Sequence, residues 1–76
     1  MVSACVLVCC NPGSYNEVAE AMGNMVGVKR AFGVVGRWDV VSELEATSLK
    51  TLREVVMKIH DLPGVRVTET LVEVPL

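Results

Sequence analysis

Three observations predict an α+β domain of order βαββαβ. Four apolar or alternating segments, residues 4–10, 28–35, 38–46 and 65–74, are bounded by turn residues and read as strands. Two stretches between them place apolar residues at helical spacing. A helix-to-strand joint also occurs twice, as Met25-Val26-Gly27-Val28 and as Leu62-Pro63-Gly64-Val65. Two matching βαβ-type halves imply the ferredoxin-like arrangement, a four-stranded antiparallel sheet. Right-handed crossovers put both helices on one face of it.

The first strand, Ala4 to Cys10, is a continuous apolar run ended by the turn signal Asn11-Pro12-Gly13. It is too short for a buried helix and reads as a central strand covered on both faces. Ser14 and Glu17 then fit a capping box. Val18, Met22 and Met25 define one face of the first helix, and Gly27 is a plausible stop. Val28 to Val35 is the second strand and Trp38 to Ala46 the third. Trp38, Val40, Ser42, Leu44 and Ala46 share one face of that third strand, while Asp39, Val41, Glu43 and Glu45 share the other. Thr47 or Ser48 caps a second helix whose Leu49, Leu52, Val55 or Val56, Ile59 and Leu62 recur at helical spacing. Pro63-Gly64 ends it. The fourth strand follows, and Pro75 stops it.

At 76 residues the chain predicts one domain, near the lower limit for an independent core. Hydrophobic residues make up 51% of it, more apolar surface than so small an interior readily covers. The sheet face away from the helices, with Val41 and alternate residues of the first strand, is left open. A homodimer packed through that face is the simplest cover. A net charge of −2 argues against direct binding to a nucleic-acid backbone. No apolar run approaches the roughly 20 residues that span a bilayer, and Met-Val-Ser-Ala lacks the basic start of a signal peptide. The chain is therefore read as soluble and cytoplasmic, with no membrane partner. Cys5, Cys9 and Cys10 are odd in number and crowded, which is not a disulfide framework. The adjacent Cys9 and Cys10 point to opposite strand faces and read as apolar thiols, so no metal and no cofactor is expected.

The chemistry concentrates at Gly33-Val34-Val35-Gly36-Arg37-Trp38-Asp39-Val40-Val41. A glycine-led corner offers backbone N–H groups to a carboxylate, and Asp39 offers a charge-assisted acceptor to an ammonium. The same residues also suit a plain hairpin, with Trp38 packing and Asp39 capping the turn. His60, the lone histidine, stands near a helix C-terminus and has no nucleophile–base pattern around it.

The segment Val35 to Val41 resembles the Gly-x-aromatic-Asp signature of the Lrp/AsnC effector domain, the RAM domain. Ile59-His60-Asp61-Leu62-Pro63-Gly64-Val65 resembles that family's Pro-Gly-Val joint, and Thr68-Glu69-Thr70-Leu71-Val72 resembles its last strand. The resemblance covers nearly the whole chain. It implies a non-enzymatic regulatory module that binds an amino acid between adjacent dimers. Dimers of the family assemble further, into octamer or decamer rings. By resemblance, Gly36, Arg37, Trp38 and Asp39 are ligand-binding candidates, with Thr68, Glu69 and Thr70 as further contacts. Family regulators carry an N-terminal helix-turn-helix. Here Met1 directly precedes the first strand, so residues 1–76 are expected to be a stand-alone effector domain with a DNA-binding relative as a candidate partner. Three alternatives stay open: an ACT-like sensor, for which Asn11-Pro12-Gly13 speaks; a small dimeric α/β-barrel enzyme using Tyr15, His60 or Trp38; and a ligand-free assembly module.

Overall fold

The structure, a computed structural model, describes residues 1–75. Its elements are β1 (Val2–Cys10), α1 (Tyr15–Gly23), β2 (Val28–Gly33), β3 (Val40–Ala46), α2 (Leu49–His60) and β4 (Val65–Val72). The sheet runs β2-β3-β1-β4, with every neighbouring pair antiparallel. This is the expected ferredoxin-like order. β1 takes a central place, and it is the one strand without a charged residue. The edge strands carry Lys29 and Arg30 in β2, and Arg66 and Glu69 in β4. An edge keeps such side chains in water, and charge there discourages unwanted pairing.

Both helices cover one sheet face, α1 over β2 and β3 and α2 chiefly over β4 and β3. Alternate residues of β1 and β3 point toward them: Val6, Val8, Val40 and Leu44 are buried. Val18 and Met22 descend from α1, and Leu52, Val55 and Ile59 from α2. Each such side chain contributes about 1.5–3 kcal/mol by leaving water. Ser42 is the buried polar member, and its hydroxyl donates to the Val6 carbonyl at 3.2 Å.

Several boundaries differ from expectation. β2 ends at Gly33, not Val35, and β3 begins at Val40, not Trp38. The reason is the corner between them: Gly36 sits at φ 147, outside any strand conformation, and Val35 is fully exposed. α1 ends at Gly23 rather than near Gly27. Ser14 makes no side-chain cap, because it already lies in the helical region at φ −95 and ψ −6. Instead it packs against Gly64, where an added Cβ would stand 3.1 Å from the Ser14 Cβ. Asn11 N–H donates to the Gly64 carbonyl at 2.8 Å beside it, so the two turns interlock. Ser48 does cap α2, accepting from Thr51 N–H at 3.1 Å.

β1 is covered on one face only. Cys5, Leu7 and Cys9 are half-buried on the opposite, outer face. Their register partners Val41, Glu43, Val67, Glu69 and Leu71 share that face. At its β2 side Arg30 stacks on Phe32, 4.3 Å from the ring centroid, and lies 3.8 Å from Glu43.

Candidate functional site

The β2–β3 corner is tied to the end of β1. Between Cys9 and Cys10 the register against β4 slips, so that Cys9 faces Val67 while Cys10 faces Val65. Such a bulge re-aims the local backbone. Cys10 N–H leaves the ladder and donates to Asp39 Oδ2 at 2.9 Å. Asp39 N–H in turn donates to the Val8 carbonyl at 2.9 Å, and the Asp39 carbonyl accepts from Val34 N–H at 2.9 Å. The Cys9 thiol lies 3.5 Å from the Arg37 carbonyl, a weak fourth contact. Asp39 is thus first an anchor of the corner, with one carboxylate oxygen committed to the backbone of β1.

Beyond this anchored base the tip stands free. Val35, Gly36 and Arg37 are exposed, and Trp38 and Asp39 are half-buried. The N–H groups of Gly36, Arg37 and Trp38 donate to no acceptor among the described residues. Nothing lies within 4 Å of the position a Gly36 Cβ would take. The tip can therefore turn several donors toward an anion without displacing a packed neighbour.

One wall of the corner was not legible in the sequence. The Tyr15 ring, in the first turn of α1, lies against Gly33, where a Cβ would stand 3.2 Å from Tyr15 Cδ2 and 3.7 Å from the Asp39 carbonyl. A Cβ at this position would press the ring back by a few tenths of an ångström. Nothing local to Tyr15 points to Gly33, 18 residues away.

The remaining candidates do not join the corner within one protomer. Thr68 and Thr70 pair with Val8 and Val6 and face the helices, whereas Glu69 pairs with Leu7 and faces outward. Thr68 Oγ1 lies 3.5 Å from His60 Nδ1. β1 stands between β4 and the corner, so Thr68 is separated from it by two strand spacings, about 10 Å.

The thiols are unequal. Cys10 is buried, and burial pushes its thiol up from the ordinary value near 9.0, with further upward pressure from the Asp39 charge and hydrogen bond and from Cys9. A buried, protonated thiol is a poor nucleophile and a poor metal ligand. Among the described residues no group of three or more His, Cys, Asp or Glu side chains is placed to hold a metal ion. Nor is any helix long and apolar enough to cross a membrane.

Comparison with known proteins gives a consistent result. The model of the Lrp/AsnC ligand binding domain matches residues 3–74. The crystal structure of hypothetical protein PHS023 from Pyrococcus horikoshii is 31% identical with a TM-score of 0.91, covering 100% of this chain and 93% of that one. The crystal structure of FFRP-DM1 is 32% identical with a TM-score of 0.92, covering 97% of this chain and 100% of that one. Transcriptional regulator NMB0573 from Neisseria meningitidis, in complex with L-Met, shares the fold at 16% identity and a TM-score of 0.83; the match covers 97% of this chain and 50% of that one. No curated protein matches the chain.

Proposed function

The chain belongs to the Lrp/AsnC ligand-binding domain family, and on that premise we propose that it is a stand-alone effector module that binds an α-amino acid at the β2–β3 corner. The observation that carries this reading is the contrast between an anchored base and an open tip. Asp39 holds the corner to β1, while the N–H groups of Gly36, Arg37 and Trp38 remain available. Those donors suit an α-carboxylate. The Asp39 charge, acting through the oxygen that Cys10 does not occupy, suits an α-ammonium. The L-Met bound to the Neisseria regulator supports the same ligand class.

Thr68, Glu69 and Thr70 enter this reading from a neighbouring copy, since β1 separates them from the corner of their own protomer. The outer sheet face, with Leu7, Val41 and Leu71, packs on its counterpart in a homodimer, and dimers assemble further into rings. The ligand then acts by binding one assembly better than another. A DNA-binding relative is the proposed recipient of that signal. The module binds rather than catalyses: Tyr15, Trp38 and His60 stand on α1, the corner and α2, with no paired base and nucleophile among them.

Thermal unfolding against each of the twenty amino acids at millimolar concentration tests the reading. A ligand that binds only the folded state stabilises by about 2.7 kcal/mol at a hundredfold excess over Kd. One selective upward shift is expected. It should vanish in Asp39→Asn, which keeps an oxygen for Cys10 N–H but removes the charge. If no amino acid shifts the transition, the corner is a hairpin and the chain an assembly module.

A further inference from the structure

We propose that the groove between α2 and β4 binds a small apolar carboxylate, an aliphatic or aryl-alkyl monocarboxylic acid in its ionised form. The inference goes beyond the effector reading and does not depend on what the corner binds. The groove has a volume of about 250 Å³ and is lined by Leu49, Leu52, Arg53, Val56, Thr70 and Val72. Ligand pockets of about 300–1,000 Å³ are the rule, so its occupant is small. The aliphatic members form the walls, and they remain partly in water: Leu49 is 64% exposed and Val72 44%.

The two polar members are both without a partner. Arg53 has no carboxylate within 4 Å among the described residues. Thr70 faces the helices from β4, and its hydroxyl meets no hydrogen-bond partner among the described residues. The next inward-facing hydroxyl behaves differently: Thr68 Oγ1 lies 3.5 Å from His60 Nδ1.

The carboxylates of both elements are turned away from the groove. Glu54 is the acid of α2, and with Thr51 and Lys58 it lines the opposite side of that helix. Glu69 of β4 pairs with Leu7 and faces outward, and Glu73 lies with Ser3 and Cys5. Asp61 caps the far end of α2 from Leu49. Lys50, three residues before Arg53, adds a second exposed cation to the first turn. The groove therefore joins aliphatic walls to a free guanidinium and a free hydroxyl.

That combination selects one chemistry. A planar guanidinium matches a carboxylate through paired N–H donors, and the Thr70 hydroxyl adds a donor. The walls favour an apolar body by removing it from water. A bare inorganic anion leaves the walls unused, and an uncharged apolar molecule leaves Arg53 unpaired. A free amino acid brings an ammonium toward Arg53 with no carboxylate there to receive it, so the groove and the β2–β4 corner side of the molecule take different ligands. Thr70 acts here within its own protomer.

Titration of the full chain with octanoate, followed by calorimetry and amide NMR, tests this. Saturable binding is expected, with shifts at Leu49, Arg53, Val56, Thr70 and Val72 and none at Gly36 to Asp39. Acetate and octylamine should not bind, and octanol should bind at least about tenfold more weakly than octanoate. Arg53→Gln should weaken octanoate about tenfold, and Arg53→Lys, which keeps the charge without the fork, should lie between. Arg53 is exposed, and circular dichroism confirms that the variants are folded. No saturation below the concentration at which octanoate forms micelles overturns the proposal. Equal binding of octanoate by wild type and Arg53→Gln overturns it too, as do shifts confined to the corner. L-leucine that shifts the groove residues would make the groove part of the amino-acid site and overturn its separate chemistry. The effector reading fails on a different observation, the absence of any response to the twenty amino acids.

Discussion

Replacing Asp39 by Ala should destabilise the fold before it says anything about a ligand. The substitution removes the acceptor that Cys10 N–H meets at 2.9 Å where β1 leaves the β4 ladder. A hydrogen bond to a charged group contributes about 1.5–3 kcal/mol. Asp39 is half-buried, so water partly replaces the lost oxygen and the lower end, about 1.5 kcal/mol, applies. Unfolding entropy of about 2.1 cal/mol/K per residue over a chain of this length converts that loss into a fall in Tm of about 9 °C. Asp39→Asn retains an acceptor and should lose about a third as much. The assay is calorimetry or circular dichroism of the three proteins at one protein concentration, because assembly makes Tm concentration-dependent. Amide exchange at Cys10 supplies the local readout. It should accelerate in Asp39→Ala and stay near wild type in Asp39→Asn. An Asp39→Ala protein that melts within about 2 °C of wild type, with Cys10 still protected, would refute the anchoring role. The contrast also governs the ligand assay: only Asp39→Asn separates a lost charge from a loosened corner.

Two further outcomes follow from particular contacts. Ser48→Ala should cost about 1 kcal/mol, since the Ser48 hydroxyl accepts from Thr51 N–H. Ser14→Ala should cost only a few tenths, since no cap bond is lost and alanine keeps the Cβ packed on Gly64. Urea unfolding of the two variants checks the pair, and equal losses would contradict the cap geometry. Cys10 sets an alkaline limit. Its folded value is raised, so the folded chain holds the proton to higher pH than the unfolded chain does. The linked stability is complete below the ordinary thiol value near 9.0 and is lost as pH rises through the folded value. Denaturation midpoints between pH 7 and 10 should fall more steeply in wild type than in Cys10→Ala. Parallel curves would remove Cys10 from the account.

Much of the fold could be read from local pattern. β1 declares itself central by lacking any charge, and Leu52, Val55 and Ile59 mark the buried face of α2 three and four residues apart. The recurring turn before Val28 and Val65 marks two equivalent halves, with Gly27 at φ 98 and Gly64 at φ 91. These are short-range signals: period, charge and turn chemistry act within a few residues of where they are written.

The candidate site is a different matter. Its residue types were legible, but their relations were not. The sequence suggested Asp39 as a ligand group; the fold spends one of its oxygens on Cys10, 29 residues away. Thr68, Glu69 and Thr70 look like one motif, yet strand alternation sends Glu69 to one face and both threonines to the other, with β1 between them and the corner. Ser14 and Glu17 satisfy the spacing of a capping box, and the approach of Gly64 gives Ser14 another task. Leu49 fits the helical stripe and yet stands in water, at the rim of a groove it lines with Thr70 and Val72 of β4. Sequence alone determined the elements, their order and their inward faces, since each depends on neighbours along the chain. Tertiary structure decided which donor meets which acceptor and which apolar surface stays uncovered. Those depend on register and packing between segments whose separation no local pattern encodes.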